Sequence, residues 1–372
     1  MARSHNLDHS TKGCCVDLST FRPKRILLCQ LRQIGDVLLA TPAVEILANA
    51  YPQAEIHFFT ESKCAPMLHN NPHIAKVWGV DKKKLKTLWD EIKYYREVTS
   101  TSFDLVVDFQ QLPRCRWVVG FSGASVRLAS EVRWYNRILY THSTRPEHGY
   151  AAHFKAQTLA PLGLRWNGER PRLYLTEDEH TLAHKLFVEL GIENAPVVSM
   201  DISHRREPRR WPAAYYARLV EGLAEQHPDI RFFLPYGPGE EKDVEELYAL
   251  CSVKDRLAIP TRVIGLRKLA ACIDRCLMHI GNCSAPRHMA VALNTPTFTL
   301  LGATSKGWTF PSPENADCQL NLPCQPCNKN SCPRDHECLV KLTPELVLPQ
   351  VLEHMRRFAP LPSQGSCKAM NT

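Results

Sequence analysis

The sequence predicts an α/β protein made of two Rossmann-like domains that face each other across a cleft. Its 372 residues are enough for two domains of ordinary size. Short apolar runs, typical of buried strands, alternate with stretches whose apolar residues recur at helical spacing, and this alternation indicates parallel sheets. It is interrupted where proline and glycine accumulate at 161–178 and then restarts, which indicates two similar domains.

The first half of the chain begins with a polar segment that lacks periodicity, so we predict a disordered tail at 1–22. Strands are expected at 25–30, 56–60 and 104–109, and helices are expected from Asp36 to just before Pro52 and around 82–98. Together these elements define a first domain at 23–165.

The second half repeats the pattern. Apolar runs predict strands at 197–201, 231–234, 277–280 and 297–301, and helices are predicted from Pro212 and at 240–250, 266–276 and 285–293. We therefore expect a second domain at 175–342, which includes a cysteine-rich loop at 318–338, and a terminal helix at 343–358.

Composition excludes several classes of protein. Hydrophobic residues make up 44% and charged residues 23% of the chain, which excludes a mostly disordered protein, a collagen and a coiled coil. No apolar stretch is long enough for a membrane-spanning helix, and the first twenty residues lack the apolar core of a signal peptide. We therefore expect a cytoplasmic protein. The 46 basic residues exceed the 38 acidic ones by eight, which favours an anionic partner, although an ordinary basic surface would have the same balance.

Three loops between a predicted strand and a predicted helix contain residues suited to chemistry. Asp36 is either a helix cap or a general base at the edge of the cleft. Arg205–Arg210 holds four arginines, which indicate either a solvated basic turn or an anion site next to a helix N-terminus. Gly281–His288 offers small residues for close backbone approach and Ser284 as a donor, while His288 alone is equally typical of a structural histidine.

Taken together, these segments resemble glycosyltransferase family 9, the lipopolysaccharide heptosyltransferases, over roughly residues 24–358. The resemblance rests on IGDVLLATP at 34–42, Arg210-Trp211-Pro212, GPGEE at 237–241 and NCSAPRHMAVALNTPTFTLLG at 282–302. It implies a GT-B fold and transfer of a heptose from ADP-heptose to the lipopolysaccharide core. It also implies an anionic glycolipid acceptor, and hence a protein peripheral to the inner membrane.

The resemblance also assigns roles to individual residues. Asp36 matches the proposed catalytic base, and Arg209 matches the basic residue at the diphosphate. Donor-binding roles follow for Arg210, Glu241, Asn282, Ser284 and His288. At Cys283 and Ala285 this chain departs from the family, which usually has Asp and Gly there. The departure leaves open a GT-B transferase that uses another nucleotide sugar, or an inactive glycan-binding or scaffold homologue.

The residues alone are consistent with the same mechanism. Asp36 supplies a base, and Arg209, Arg210 and two helix N-termini supply positive potential for a departing diphosphate. Because no Asp-x-Asp motif is present to hold a divalent metal, we expect metal-independent catalysis without a cofactor. A single displacement would invert the anomeric centre.

The acceptor is expected to bind the first domain. Six arginines and one acidic residue lie between Leu112 and Pro146, and they predict either a solvated basic face or a site for an anionic glycolipid. We assign Arg114, Arg116 and Arg127 to acceptor binding. Basic and aromatic residues are not interleaved as in a nucleic-acid binder, so we expect no nucleic-acid partner.

The last signal is a cluster of cysteines. Cys324, Cys327, Cys332 and Cys338 have spacings with which thiolates can hold a structural zinc. The same spacings are compatible with free or reversibly bridged thiols, or with an iron–sulfur cluster. None of these interpretations makes the cluster catalytic.

Overall fold

The computed structural model describes residues 16–361. In the first domain the strands and helices alternate along the chain, and the order is β1 Arg25–Cys29, α1 Ile34–Leu38, α2 Thr41–Ala50, β2 Glu55–Glu61, β3 Lys76–Val80, α3 Leu88–Thr99, β4 Leu105–Asp108, α4 Pro113–Phe121, β5 Val126–Ser130, β6 His142–Thr144 and α5 Ala151–Ala156.

The second domain repeats this alternation and ends in a long helix. Its elements are α6 Glu177–Glu189, β7 Val197–Asp201, α7 Ala213–Gln226, β8 Arg231–Phe233, α8 Glu241–Leu250, β9 Leu257–Ala258, α9 Leu266–Asp274, β10 Met278–Asn282, α10 Ala285–Ala292, β11 Thr297–Leu300, β12 Asn315–Cys318, α11 Glu337–Val340 and α12 Pro344–Phe358.

Each domain is built on one six-stranded sheet in which every strand pairing is parallel. The strand orders are β3-β2-β1-β4-β5-β6 and β12-β11-β10-β7-β8-β9. Counted from each domain's first strand, both orders are 3-2-1-4-5-6, so both domains are doubly wound, and both reverse direction between their first and fourth strands. Ligands of such sheets bind beyond the carboxyl ends of the strands at this reversal.

The helix expected from Asp36 to Pro52 is divided in two. Helix α1 ends at Leu38, and α2 begins at Thr41 with Pro42 in its first turn. Proline is tolerated there because it lacks a backbone N–H that would be unpaired in any case. The Thr41 hydroxyl donates to the Leu38 carbonyl at 2.7 Å, which joins the two helices at a fixed bend.

The predicted disordered tail differs from the structure in its last residues, while residues 1–15 lie outside the described part of the chain. Phe21 is buried in the first hydrophobic core, and Val16 and Leu18 pack against the same core. Packing of these three apolar side chains holds residues 16–22 against the first domain. The sequence did not predict this, because the polar residues around them leave no apolar periodicity. The terminal helix α12 packs on the second domain, where Val347 and Val351 join the core with Leu219.

The two domains share an apolar contact behind the cleft. Leu38 and Met67 of the first domain lie in one buried cluster with Met289 and Ala290 of the second. This contact fixes the end of α1 against α10. No helix among residues 16–361 is long and apolar enough to cross a bilayer.

Candidate functional site

Asp36 lies on α1, directly after the loop that follows β1, as the sequence predicts. Its carboxylate accepts a hydrogen bond from the Gln33 backbone N–H at 3.3 Å and lies 3.5 Å from the Lys155 ammonium. About a quarter of the side chain is exposed. Asp36 is therefore both a helix-capping group and an accessible carboxylate, and the two interpretations are compatible.

Lys155 is a functional candidate that sequence reasoning missed. It is buried on α5, and its ammonium donates to the Gln30 side chain at 2.7 Å. Burial lowers the pKa of Lys155, while the Asp36 carboxylate opposes this by stabilising the charged form. A lysine in the segment AAHFKA at 151–156, whose other residues are three alanines, His153 and Phe154, was the available signal.

The loops of the two domains meet at Gly35 and His288. A β-carbon at Gly35 would lie 2.5 Å from Cδ2 of His288, so only a residue without a side chain allows this approach. His288 lies on α10 and packs edge-on against Trp308, with ring centroids 6.1 Å apart. Burial, with Arg287 next to it, lowers the pKa of His288 to about 3, which keeps the ring neutral.

We expect Gly35→Ala to reduce turnover by at least about tenfold, because the methyl group would push α1 away from α10 and displace Asp36 from the donor side of the cleft. Steady-state transfer rates would measure this. Gly265→Ala is the matched control, because a β-carbon there meets no atom within 4 Å. Equal rates for Gly35→Ala and wild type would show that this contact does not position Asp36.

Arg209 and Arg210, two neighbouring arginines of the four-arginine turn, differ in whether their guanidinium groups are paired. Arg209 is half-buried, and its guanidinium forms no hydrogen bond or ion pair with any residue between 16 and 361. Burial, followed by the nearby Arg206, lowers its pKa. Arg210 instead donates to Asp243 on α8 at 2.8 Å. Arg209 therefore has free donors at the cleft, whereas Arg210 is already paired.

Asn282 ties three loops of the second domain together. It is fully buried at the end of β10, its side-chain oxygen accepts from the Trp211 N–H at 3.1 Å, and its amide donates to the carbonyls of Asp201 and Ser203 at 3.4 and 3.3 Å. Ser284, the residue before α10, donates to the Asp201 carboxylate. Asn282 and Ser284 therefore both lie at the site, but the Asn282 amide and the Ser284 hydroxyl already form hydrogen bonds within the protein.

Asp201 is a second residue that sequence reasoning missed. It ends β7 and is buried, and burial raises the pKa of its carboxyl to about 7, with the nearby Glu240 adding to the shift and the Ser284 hydrogen bond opposing it. Strongly shifted carboxyls are typical of functional sites. An acidic residue that ends an otherwise buried strand was the signal in the sequence.

This shift predicts a pH-dependent stability. Because the pKa of Asp201 is about 7 when folded and 3.8 otherwise, its stabilising contribution is complete below pH 4. It falls as the pH rises towards 7, by about 1 kcal/mol per pH unit. Melting temperatures at pH 5 and 7 should therefore differ less for Asp201→Asn than for wild type. Asp229→Asn, at an exposed position, is the control, and equal differences for wild type and Asp201→Asn would contradict the assignment.

Glu240, the residue before α8, and Glu241, the first residue of α8, have different surroundings. Glu240 accepts hydrogen bonds from the Ser203 hydroxyl at 2.7 Å and the Gly237 N–H at 2.9 Å. The predicted donor residue Glu241 instead lines a depression whose other walls are Tyr236, Val244, Glu245, Tyr248 and Ile259. This depression lies past the carboxyl ends of β8 and β9, to one side of the reversal between β7 and β10.

The three arginines predicted for the acceptor all have partners within the first domain. Arg114 pairs with Glu91, with Nε 3.2 Å from the carboxylate, and Arg116 donates to Asn136 at 2.9 Å. Arg127 donates to the Leu139 carbonyl at 2.7 Å, and burial lowers its pKa. They help to hold α3, α4 and the segment after β5 together, and their role in acceptor binding stays a prediction.

The clustered cysteines lie in and beside one loop, and none of them forms a disulfide. Burial raises the pKa of Cys338 to about 11, and the neighbouring thiols add to this. Within the described residues, no three His, Cys, Asp or Glu side chains are arranged to hold a metal ion. The geometry does not support a structural zinc, one of the three alternatives that the sequence left open, because correct spacing along the chain does not fix the directions of the thiols.

Arg287 is the third residue that sequence reasoning missed. It is completely buried, and it donates to the thiol of Cys283 at 3.2 Å and to the Thr309 hydroxyl. Its Nε has no partner, and no carboxylate among residues 16–361 pairs with it. A buried guanidinium without an acidic partner is expensive in free energy, so the chain places a strong positive charge beside the loop of Ser284.

Two Rossmann-like domains that face each other across a cleft, with a carboxylate on one side and a cationic turn on the other, define a GT-B glycosyltransferase. The model of glycosyltransferase family 9 (heptosyltransferase) matches residues 92–337. The chain therefore belongs to glycosyltransferase family 9, and the fold expected from the sequence is confirmed.

Similar proteins agree with this assignment. Lipopolysaccharide heptosyltransferase 3 of Escherichia coli K12 is 27% identical over 77% of this chain and 84% of its own. A family 9 glycosyltransferase structure from Veillonella parvula has a TM-score of 0.79 at 21% identity and covers 90% of this chain and 98% of its own. E. coli heptosyltransferase WaaC with ADP-2-deoxy-2-fluoro heptose has a TM-score of 0.67 at 18% identity, covering 88% of this chain and 99% of its own.

Proposed function

We propose that this glycosyltransferase moves a heptose from ADP-heptose to the lipopolysaccharide core with inversion at the anomeric carbon. The main support is the contact of Gly35 with His288, because it brings the Asp36 carboxylate of one domain next to the donor loops of the other. The lipopolysaccharide heptosyltransferases among its relatives support the choice of sugar and acceptor. A protein with this acceptor would act in the cytoplasm, at the periphery of the inner membrane.

In the proposed reaction, Asp36 removes the proton from the acceptor hydroxyl while the hydroxyl oxygen attacks the anomeric carbon. The bond from that carbon to the diphosphate breaks, and its electron pair leaves with the ADP. Lys155 holds the carboxylate in place through their 3.5 Å ion pair. Because Lys155 is also bonded to Gln30, the carboxylate is held from the side of the first domain and keeps its exposed part for the acceptor.

The leaving diphosphate is stabilised from the second domain. The Arg209 guanidinium has free donors there. Helices α7 and α10 begin at Ala213 and Ala285, and their N-termini present backbone N–H groups to the same region. The adenosine part would occupy the depression lined by Tyr236, Tyr248 and Ile259, whose apolar walls suit a flat base. Glu241 at the same depression would accept hydrogen bonds from ribose hydroxyls.

The test is transfer itself. Purified protein with ADP-heptose and core oligosaccharide lacking the added heptose should release ADP, and the anomeric configuration of the product, read by NMR, should be opposite to that of the donor. Thermal protection by ADP-heptose, but not by UDP-glucose, GDP-mannose or ADP-glucose, should accompany this result. ADP release with retained configuration would contradict the single displacement, and the absence of transfer would contradict the proposed function.

Metal-independent transfer is a further expectation. In the proposed mechanism, Arg209 and the N-termini of α7 and α10 supply the positive potential at the diphosphate, so we expect EDTA to leave the initial rate unchanged within about twofold. Rates would be measured with fresh enzyme, with and without EDTA, and again after magnesium is restored. Loss of activity in EDTA that magnesium restores would contradict this expectation.

A transferase that uses another nucleotide sugar is the second candidate, and Arg287 is the observation that favours it. Its buried charge beside Cys283 adds positive potential where the family usually offers a carboxylate to the sugar hydroxyls. The same thermal-protection series separates the two candidates, because a donor other than ADP-heptose would then give the largest shift.

A further inference from the structure

The first domain exposes its large apolar side chains in one region, at the rim of the cleft. Among the described residues of this domain, those with at least a third of their surface exposed are Leu88, Trp89, Trp117, Trp134, Tyr135 and Ile138. Ile138, Trp134 and Trp89 are 87, 79 and 78% exposed, more than any other large apolar side chain between 16 and 361. We name these six residues the aromatic rim.

The elements that hold the aromatic rim pack side by side. Helix α3 contacts α4 through the Glu91–Arg114 ion pair, and α4 contacts the 3₁₀ turn Trp134–Leu139 through the Arg116–Asn136 hydrogen bond. The segments follow the carboxyl ends of β3, β4 and β5, and Asp36 follows the carboxyl end of β1 in the same sheet. The aromatic rim therefore lies on the acceptor side of the cleft.

Basic residues flank the aromatic rim. The segment KKKLK at 82–86 lies one residue before Leu88 and contains four lysines and no acid, and Lys83, Lys84 and Lys86 are exposed. Arg133 and Arg137 are exposed on either side of Trp134 and Tyr135. Tryptophan and tyrosine with adjacent cations suit the interface of an anionic bilayer, where the rings enter the headgroup region and the cations meet the phosphates.

We propose that the aromatic rim and its basic residues dock this protein on the surface of an anionic lipid bilayer, with the cleft open to the lipid side. The charge complementarity of the rim with anionic headgroups favours a bilayer over a second copy of the same basic surface. This inference rests on the proposed function, because a lipid-anchored acceptor would be presented at the surface of a bilayer. Docking on this surface would bring the acceptor sugar to Asp36 without immersing either domain.

The test is co-sedimentation with vesicles of phosphatidylethanolamine and phosphatidylglycerol at 3:1, with phosphatidylcholine vesicles for comparison. Wild type should pellet with the anionic vesicles, and 0.5 M salt, on the order of a 4 Å Debye length, should release part of it. Trp134→Ser/Ile138→Ser should lower the partition coefficient by about tenfold or more. The control Leu182→Ser/Val188→Ser, at two exposed positions of α6 in the other domain, should bind like wild type.

Three outcomes would overturn the proposal. The first is wild type that stays in the supernatant with both kinds of vesicle, and the second is equal binding by the rim and control variants. The third is a dimer in sedimentation velocity that the rim variant abolishes, which would make the rim a subunit interface. Transfer to a deacylated, water-soluble acceptor separates this proposal from the proposed function. The rim variant should retain this transfer activity. Wild type that binds the vesicles but transfers no sugar would contradict the proposed function and leave the docking proposal standing.

Discussion

Asp36→Asn is expected to reduce the rate of transfer by about 10³–10⁴-fold, the upper part of the range for loss of a general base. Asparagine keeps the shape of the side chain and can still accept the hydrogen bond from Gln33, but it cannot take a proton from the acceptor. Donor affinity should remain near that of wild type, because Asp36 is on the acceptor domain. Rates at saturating donor and acceptor, with the dissociation constant of ADP, would measure both effects.

The ion pair with Lys155 requires a second variant in this experiment. Asp36→Asn leaves a buried ammonium with only Gln30 as a partner, so we expect a loss of about 1–2 kcal/mol in the free energy of unfolding. Asp36→Asn/Lys155→Gln removes that unpaired charge and should recover stability without recovering activity. If Asp36→Asn keeps its rate within about tenfold of wild type, equivalent to about 1.4 kcal/mol, Asp36 is a cap only.

The strands at the centre of both sheets were predictable, whereas the edge strands β3, β6, β9 and β12 and the inner strand β5 were not. β1, β4, β7 and β10 are fully or almost fully buried, so each appears in the sequence as an apolar run. The missed strands include β6 with HST and the two-residue β9, which pair on one side and therefore need little apolar character. Helix α6 was missed although Thr176 and Glu179 form its capping box, because prolines and glycines just before it obscured the start.

Adjacent residues in the site could not be distinguished from the sequence. Arg209 and Arg210 are both typical of an anion site, and only the 3₁₀ turn Glu207–Arg209 decides that Arg210 reaches Asp243. The roles of Lys155 and Asp201 could not be predicted, because their pKa values are shifted by burial, and that burial depends on the packing of elements distant in sequence. The position of Asp36 was predictable because it depends on local order alone: the end of a strand followed by a helix.

Arg209→Ala is expected to reduce the catalytic constant by on the order of 100-fold, the scale of losing one preorganised group that stabilises developing charge. As the glycosidic bond breaks, negative charge moves onto the diphosphate, so a cation there binds the transition state more strongly than the ground state. Turnover should therefore fall more than donor affinity. Because the Arg209 guanidinium has no partner among residues 16–361 to lose, the melting temperature should change little.

The matched control for this variant is its neighbour. Arg210→Ala breaks the pair with Asp243 but removes no free donor at the cleft, so its catalytic constant should stay within about threefold of wild type. Arg209→Lys should recover only part of the loss, because an ammonium keeps the charge without the planar pair of donors. If Arg209→Ala raises only the Michaelis constant of the donor at full turnover, the guanidinium binds the ground state and the transition state equally, and the charge that assists departure comes from the helix N-termini.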